Sequence, residues 1–241
     1  MSFSLVIPCY NEANNLFILI KKYKKFLQDQ SNELILVNNG STDSTEEIFK
    51  KLKKKFKNIK TLKIKKNIGF GYGLKKGLFK TKKKFIIYSH ADLEVDPNDI
   101  IKSINILKKE NSNSIKKIFI KGNRINKLRN HWSLNDLIFS YGLTILSTLI
   151  FRKYLFDIHA QPVLFSRNLI KELKYYPDDF SIDLAIYLHA VKRNYKLIRF
   201  PVNFNKKKRK FGEGSSNNIT KKLKASLAQL YYSFIILIKL N

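Results

Sequence analysis

The chain has 241 residues, of which 44% are hydrophobic and 13% aromatic, so it can bury one large core or two small ones and is not a disordered chain. Its 47 lysines and arginines against 18 aspartates and glutamates give a formal net charge of +29, which requires an anionic partner or surface. Lysine greatly outnumbers arginine, the residue best suited to geometric phosphate recognition. We therefore expect an anionic membrane face or a phosphorylated substrate, and no nucleic acid.

The first hundred residues alternate between apolar strands and amphipathic helices. The pattern predicts strands over residues 2–8, 33–37 and 59–64 and a fourth beginning at Phe85, with a helix over 14–28 and another ending near Phe56. This alternation predicts an α/β fold with a parallel, doubly wound sheet, helices on both faces, and ligands at the carboxyl ends of the strands. The N-terminus has no charged leader, and the single cysteine, Cys9, fits a reducing compartment, so we expect a cytoplasmic protein.

The fourth strand ends abruptly in acidic residues, at residues 85–97. Because side chains alternate along a strand, His90, Asp92 and Glu94 would project on one side if the extended backbone continues that far. Carboxylates clustered there can hold Mg²⁺ or Mn²⁺ and so position a diphosphate. The alternative is an acidic loop that caps the next helix.

A glycine-rich loop at residues 67–73 precedes the fourth strand and opens a helix. It has neither the glycine spacing of a dinucleotide fold nor the Lys-Ser/Thr ending of a P-loop. Its glycines can equally relieve crowding at the helix entry.

The second half of the chain contains two apolar segments. Residues 132–156 are rich in Leu, Ile and Phe, but the longest uncharged run, 137–151, is short for a bilayer span and favours an interfacial or core helix. Residues 219–240 predict a C-terminal helix that is basic at first and then apolar, and that lies along a membrane or caps the domain. We expect a main domain over 1–216 and this amphipathic helix over 217–241. Between the two segments the pattern predicts a loop at 157–167, a helix at 184–193, a strand at 196–202 and a basic run at 206–210.

Several motifs occur in an order that resembles a known family. Residues 6–12 (VIPCYNE), 38–43 (NNGSTD), 67–77, 90–94 (HADLE) and 122–124 (GNR) resemble successive motifs of family 2 glycosyltransferases of the GT-A fold. The resemblance spans roughly residues 3–216 and is strongest to the dolichyl/polyprenyl-phosphate sugar transferase branch.

The resemblance implies an inverting transfer of a sugar from a nucleotide-diphosphate donor to a lipid-phosphate or glycan acceptor, in cell-envelope glycan or glycolipid synthesis. It places a catalytic Mg²⁺ or Mn²⁺ on Asp92, with Glu94 and His90 beside it. Asp183 is the candidate base if the acceptor is a sugar hydroxyl. A lipid phosphate is already an anion and needs no base, in which case Asp183 orients groups or caps its helix.

The resemblance also implies a set of substrate contacts. Glu12, Asn38 and Asp43 would contact the base and ribose of the donor, while Arg124 and Arg209 would contact phosphates of the acceptor or the donor. The donor site is completed by Pro8, Tyr10, Gly69 and Gln161.

Three positions depart from the family pattern. Asn38 stands where an aspartate is usual, and His90 replaces the first acid of the metal-binding Asp-x-Asp. Residues 157–163 (DIHAQPV) lack the Gly-Phe-Arg of lipid-phosphate transferases, so His159 and Gln161 would make polar acceptor contacts instead.

Two other classes of protein remain open. A sugar-1-phosphate nucleotidyltransferase shares the layered plan, but it expects a glycine-rich loop with a lysine directly after the first strand, which residues 9–12 do not provide. A non-catalytic basic protein would bind nucleic acid or membrane through charge alone and would tolerate Asp92→Asn. For the enzyme we expect peripheral attachment at the cytoplasmic face of the membrane.

Overall fold

The computed structural model describes residues 1–112, 114–175, 177–205 and 219–240. In these ranges seven strands form one sheet: β1 (Phe3–Cys9), β2 (Glu33–Asn39), β3 (Ile59–Ile64), β4 (Phe85–Tyr88), β5 (Ile118–Ile125), β6 (Val163–Ser166) and β7 (Lys196–Asn203). The strand order is β3-β2-β1-β4-β6-β5-β7, and β6 alone among them runs antiparallel to its neighbours. The predicted α/β fold with a mostly parallel, doubly wound sheet is confirmed.

In the part of the chain that the structure describes, eight α-helices connect or flank the strands. They are α1 (Ala13–Lys22), α2 (Lys24–Gln28), α3 (Thr45–Lys55), α4 (Phe70–Phe79), α5 (Asn98–Lys108), α6 (Leu134–Phe151), α7 (Ser181–Lys192) and α8 (Ile219–Leu240), with 3₁₀ turns at Ser114–Lys117 and Arg167–Tyr175. The prediction of one continuous helix over 14–28 was wrong, because the chain turns at Tyr23. This turn lets Tyr23, Phe26 and Leu27 bury their side chains in one cluster.

Alternate residues of the central strands feed two separate cores. Leu5 and Ile7 of β1 pack in the cluster that includes Leu16 of α1, whereas Val6 faces the opposite cluster with Leu74 of α4. Both faces of the sheet are therefore covered by helices, which explains why the parallel strands read as continuous apolar runs.

The chain order reverses between β1 and β4. From β1 the chain proceeds to β2 and β3 on one side, and it then returns to place β4 parallel to β1 on the other side. A crevice forms outside the carboxyl ends of two such strands, because their connections leave in opposite directions.

The long helices α6 and α8 pack against each other, and α8 also contacts α7. Within the described residues, α6 is the helix whose length and composition would allow it to cross a membrane. The predicted C-terminal helix over 219–240 is α8.

Candidate active site

A cavity of about 530 Å³ opens at the carboxyl ends of β1 and β4, where the chain order reverses. Its walls come from the end of β2, from the loops after β1, β3 and β4, from the start of α4, from β5, and from α6, α7 and α8 or the segments beside them. The lining residues that carry polar or aromatic chemistry include Tyr10, Glu12, Gly69, Phe70, His90, Asp92, Glu94, Arg124, His159, Phe180 and Gln229, and Pro8 also lies on the wall.

The acidic segment after β4 reaches the cavity through a bend and not through a longer strand. β4 ends at Tyr88, and Leu93 has a positive φ of 63°. The Glu94 amide donates to Asp92 Oδ1 at 3.1 Å, and both side chains are buried on the cavity wall. The expected alternation of His90, Asp92 and Glu94 on one side of an extended strand was therefore wrong, although all three line the cavity.

No three His, Cys, Asp or Glu side chains within the described residues come together as a ready-made metal site. The imidazole of His90 instead lies against the ring of Phe70, with ring centroids 4.9 Å apart. Asp92 and Glu94 are the carboxylates of this segment that face the cavity.

Polar side chains tie together the loops that follow β1 and β2. Asp43 Oδ2 accepts the amide of Ala13 at 3.1 Å and Oδ1 accepts that of Thr45 at 3.0 Å, so this exposed carboxylate fixes the starts of α1 and α3. The buried Asn38 donates to Glu46 at 2.7 Å. Asp43 and Asn38 lie away from the cavity wall, and the donor contacts inferred for them stay predictions.

The glycine-rich segment packs against the loop at 177–180. A Cβ on Gly69, whose φ is 146°, would lie 2.4 Å from the carbonyl oxygen of Asp178, and a Cβ on Gly71 would lie 2.3 Å from that of Asp179. These glycines therefore permit a close backbone approach, in agreement with the crowding interpretation. Gly69 also borders the cavity.

Arg124 forms a buried ion pair with Asp157. Its main-chain amide donates to Asp157 Oδ2 at 2.7 Å, while Nε and Nη2 donate to Oδ1. Burial alone would raise the pKa of the Asp157 carboxyl, but the charge and hydrogen bonds of Arg124 and the charge of Lys127 hold it below its ordinary value. The guanidinium also stacks over the ring of Trp132, 4.6 Å from its centroid. Arg124 lines the cavity, so the predicted phosphate contact would involve a side chain already held by an aspartate.

Lys121, which the sequence analysis did not select, is buried beneath the same loop. Its Nζ donates to the carbonyl oxygens of Ile158 and Ala160, both at 2.6 Å. Burial lowers the pKa of Lys121 to about 7, with the charges of Asp183 and Asp157 opposing that shift. A lysine directly after the apolar run 118–120 of β5 was the available signal. Lys121 thus holds the loop on either side of His159.

Asp183 lies behind the cavity wall at the start of α7 and is buried. It accepts a hydrogen bond from the Tyr88 hydroxyl at 2.8 Å and contacts His159, with Oδ2 3.1 Å from Nδ1. The other ring nitrogen of His159, Nε2, is 2.9 Å from the side-chain nitrogen of Gln229 on α8. His159 lines the cavity, and Asp183 reaches it through His159.

Two predicted residues are not among the described residues of the cavity wall. Gln161 is fully buried away from the cavity wall, and neither polar atom of its side chain has a hydrogen-bond partner among the described residues. Arg209 lies outside the residues that the structure describes. The roles inferred for both stay predictions.

The mixed sheet with helices on both faces and a crevice between β1 and β4 is the GT-A fold of glycosyltransferases. The sequence model of glycosyl transferase family 2 matches residues 4–174, and the chain belongs to this family.

Several relatives have about a quarter of their aligned residues identical to this chain. A protein of Methanocaldococcus jannaschii is 27% identical over 201 residues, covering 80% of this chain and 83% of the relative. A dolichyl-phosphate beta-glucosyltransferase of Dictyostelium discoideum is 25% identical, with 83% and 65% covered. A dolichol-phosphate mannosyltransferase of Pyrococcus furiosus is also 25% identical, with 85% and 56% covered. The chain therefore spans less than two thirds of the length of these two transferases.

Solved structures share the fold. Glucosyl-3-phosphoglycerate synthase of Mycobacterium tuberculosis in complex with uridine diphosphate superposes with a TM-score of 0.69 at 14% identity, covering 98% of this chain and 79% of the synthase. A mannosyltransferase of Pyrobaculum calidifontis, in complex with GDP-Man and Mn²⁺, gives a TM-score of 0.61 at 14% identity, with 98% and 64% covered. Among the three classes that the sequence left open, family membership selects the glycosyltransferase.

Proposed function

We propose that this protein transfers a sugar, with inversion, from a nucleoside diphosphate donor to a lipid-phosphate or glycan acceptor in cell-envelope glycan or glycolipid synthesis. The observation that carries the proposal is the pair of buried carboxylates, Asp92 and Glu94, on the wall of the crevice between β1 and β4. The names of the two transferase relatives, which act with dolichyl or dolichol phosphate, and the nucleotides bound in the structural neighbours support this donor and acceptor chemistry.

The two carboxylates fit a divalent cation that is shared with the donor. Mg²⁺ is commonly held by one or two carboxylates together with substrate phosphates, so a preformed cage of three protein ligands is not required. The main-chain amide of Glu94 fixes the Asp92 carboxylate in place. Bound there, Mg²⁺ or Mn²⁺ would offset the charge that develops on the leaving diphosphate. His90, which lies against Phe70, would border this site.

The nucleoside would lie against the loop after β1, beside Pro8, Tyr10 and Glu12. Glu12 is buried and accepts a hydrogen bond from Asn15 at 2.6 Å, so its carboxylate is held in position at the cavity wall. An ordered carboxylate at this place is suited to accept hydrogen bonds from a base or ribose.

The acceptor side of the cavity is bounded by α6 and α8, which carry two exposed apolar stripes. Leu134, Ile138, Tyr141, Ile145 and Leu149 recur at helical spacing on α6, and Leu223, Leu227, Tyr231, Phe234 and Ile238 do so on α8. Exposed basic side chains accompany them at Arg152, Lys153, Lys224 and Lys239.

Apolar stripes flanked by lysine and arginine suit an anionic bilayer surface, where the apolar side chains insert and the cations meet lipid phosphates. The net charge of +29 is complementary to such a surface. We therefore place the protein peripherally on the cytoplasmic face of the membrane, with the cavity beside the lipid surface.

The test is donor binding and turnover by Asp92→Asn. Thermal shifts with UDP-glucose and GDP-mannose, with and without Mn²⁺, should show metal-dependent stabilisation of the wild type that the variant loses. Turnover should fall by at least about 100-fold, because an interaction worth about 3 kcal/mol in the transition state corresponds to that factor.

Asp96→Asn provides the matched control. Asp96 lies four residues further on, away from the cavity wall, and its Oδ1 accepts the amide of Asn98, a contact that asparagine can keep. Wild-type turnover by Asp92→Asn, or equal losses in the two variants, would contradict the proposed donor site.

A further inference from the structure

His159 connects three elements at the cavity. Its side chain is 27% exposed, whereas that of Asp183 behind it is 1% exposed. One imidazole nitrogen, Nδ1, faces Asp183 at the start of α7, and the other, Nε2, faces Gln229 of α8. A substrate in the cavity can therefore touch His159 directly, whereas Asp183 acts on it through the imidazole.

The contacts of His159 match the tautomer that carries its proton on Nδ1. Burial alone would raise the pKa of Asp183, but its hydrogen bond to His159 and the charge of Lys121 lower it below its ordinary value. An ionised carboxylate only accepts hydrogen bonds, so Nδ1–H donates to Asp183 Oδ2. Nε2 lies 2.9 Å from the side-chain nitrogen and 3.2 Å from the side-chain oxygen of Gln229, and with Nδ1 protonated its lone pair accepts the N–H of that amide.

This arrangement is that of a general base held by a carboxylate. The imidazole is fixed in one tautomer with a basic lone pair directed away from the carboxylate, and the carboxylate stabilises the imidazolium that forms. The Tyr88 hydroxyl, which donates to Asp183 Oδ1, holds the carboxylate from the opposite side. Lys121 fixes the main chain on both sides of His159.

We propose that His159 is the catalytic base for a hydroxyl acceptor, that Asp183 is its positioning residue, and that the acceptor hydroxyl takes the place of the Gln229 amide. The inference rests on the proposed function and narrows the acceptor to the hydroxyl class. In the step, the acceptor oxygen bonds to the anomeric carbon while its proton passes to His159 Nε2. The bond from the anomeric carbon to the diphosphate breaks, and its electron pair leaves with the nucleoside diphosphate.

A phosphate acceptor does not match this position. A phosphate monoester is already anionic at neutral pH, so it has no need of a base. At Nε2 it would meet a lone pair backed by the buried negative charge of Asp183, and like charges repel in such an environment. Arg124, the nearby arginine on the cavity wall, is already paired with Asp157. A hydroxyl, which donates one hydrogen bond, can replace the amide N–H without this penalty.

The experiment uses the full chain with Mn²⁺ and either UDP-glucose or GDP-mannose. Release of nucleoside diphosphate with water as the acceptor reports on base catalysis without an identified acceptor, and octyl glucoside and farnesyl phosphate serve as hydroxyl and phosphate probes. His159→Gln should lower the kcat for water and octyl glucoside by about 10²- to 10⁴-fold, the range typical of a general base. The donor-induced thermal shift and the KM for the donor should not change.

Asp183→Asn should lower the same kcat with the same unchanged donor KM, because an asparagine amide cannot hold the reactive tautomer. The double variant should lose no more than His159→Gln alone, since the two residues act as one unit. A merely structural Asp183 would instead give losses that multiply. His131→Asn is the control, because His131 is exposed with a φ of 62° that asparagine adopts readily, and it should retain wild-type rates.

Two results would overturn the assignment while leaving sugar transfer intact. One is transfer to farnesyl phosphate at equal rates in the wild type and His159→Gln. The other is multiplicative loss in the double variant. If neither donor stabilises the wild type or is turned over, the proposed function itself fails, and the assignment of His159 fails with it.

Discussion

The ion pair of Arg124 and Asp157 provides the sharpest test of how this site is held together. Asp157 is 1% exposed and accepts three hydrogen bonds from Arg124, while Lys127 Nζ lies 3.8 Å from the same carboxylate. The perturbation is Asp157→Asn, which keeps the shape of the side chain and removes its charge. The two cations would then face a neutral amide in a largely buried place.

The expected loss in the free energy of unfolding is about 3–5 kcal/mol, the cost of leaving one partner of a buried pair without its counter-charge. Because the native pKa of Asp157 is lowered, its contribution is fully present above its ordinary pKa of 3.8. The contribution is lost as the pH falls through the lower native pKa, so the measurement belongs near pH 7.

Urea unfolding followed by circular dichroism measures this loss. Arg124→Met should cost a similar amount, whereas the double variant Arg124→Met/Asp157→Leu should lie within about 2 kcal/mol of the wild type, since an apolar pair can replace a buried ion pair. A loss below about 1 kcal/mol for Asp157→Asn, or simple additivity in the double variant, would refute the reasoning. If the double variant folds but no longer shows the donor-induced thermal shift, Arg124 also serves the donor phosphates.

Three further expectations follow from individual contacts. Lys121 is buried among the charges of Asp183, Asp157, Arg124 and Arg199, and its pKa is about 7 in the folded protein against 10.5 in the unfolded chain. Between these two pH values the unfolded chain binds more protons than the folded protein, so the free energy of unfolding rises with pH. Between pH 7 and 9 the free energy of unfolding, measured in urea, should rise by about 2 kcal/mol more for the wild type than for Lys121→Met. The same dependence on pH in both proteins would contradict a buried amine with a lowered pKa.

Gly69→Ala should cost about 1–3 kcal/mol from its φ alone, measured by the same unfolding, and a neutral effect would contradict the close approach to Asp178. Ile145→Glu or Leu227→Glu should weaken co-sedimentation with phosphatidylserine vesicles by about tenfold, unlike Leu197→Glu on β7, and equal binding by all three would exclude the α6/α8 face.

The fold could be predicted because its signal is periodic and local. Apolar runs such as residues 33–37 alternate with amphipathic helices, and that alternation leaves few topologies for a parallel sheet. The rule that ligands bind at carboxyl ends then placed the loop after β1 and the acids after β4 at one crevice. The prediction of a single helix over 14–28 was wrong because the chain turns at Tyr23, between α1 and α2, which the apolar periodicity alone does not indicate.

The site could be predicted only for residues that come directly after a strand in the sequence. Asp92 and Glu94 were found from the end of an apolar run, but the bend at Leu93 that presents them depends on a positive φ that residue types alone did not indicate. Lys121 and Tyr88 were missed because each directly follows an apolar run in its strand. Their roles depend on hydrogen-bond partners that other elements supply.

The loop after α6, where the family's Gly-Phe-Arg is missing, differs most from what the sequence predicted. The sequence suggested that His159 and Gln161 replaced it as equivalent polar contacts, yet the two lie in opposite environments, one on the cavity wall and one fully buried. The loop is fixed by Arg124 at Asp157 and by Lys121 at the carbonyls on either side of His159. Residues 157–163 contain no arginine, and the imidazole of His159 lies on the cavity wall at this place. With His159 as the proposed base, the described residues on this side of the cavity suit a group that gives up a proton better than a group that brings a negative charge.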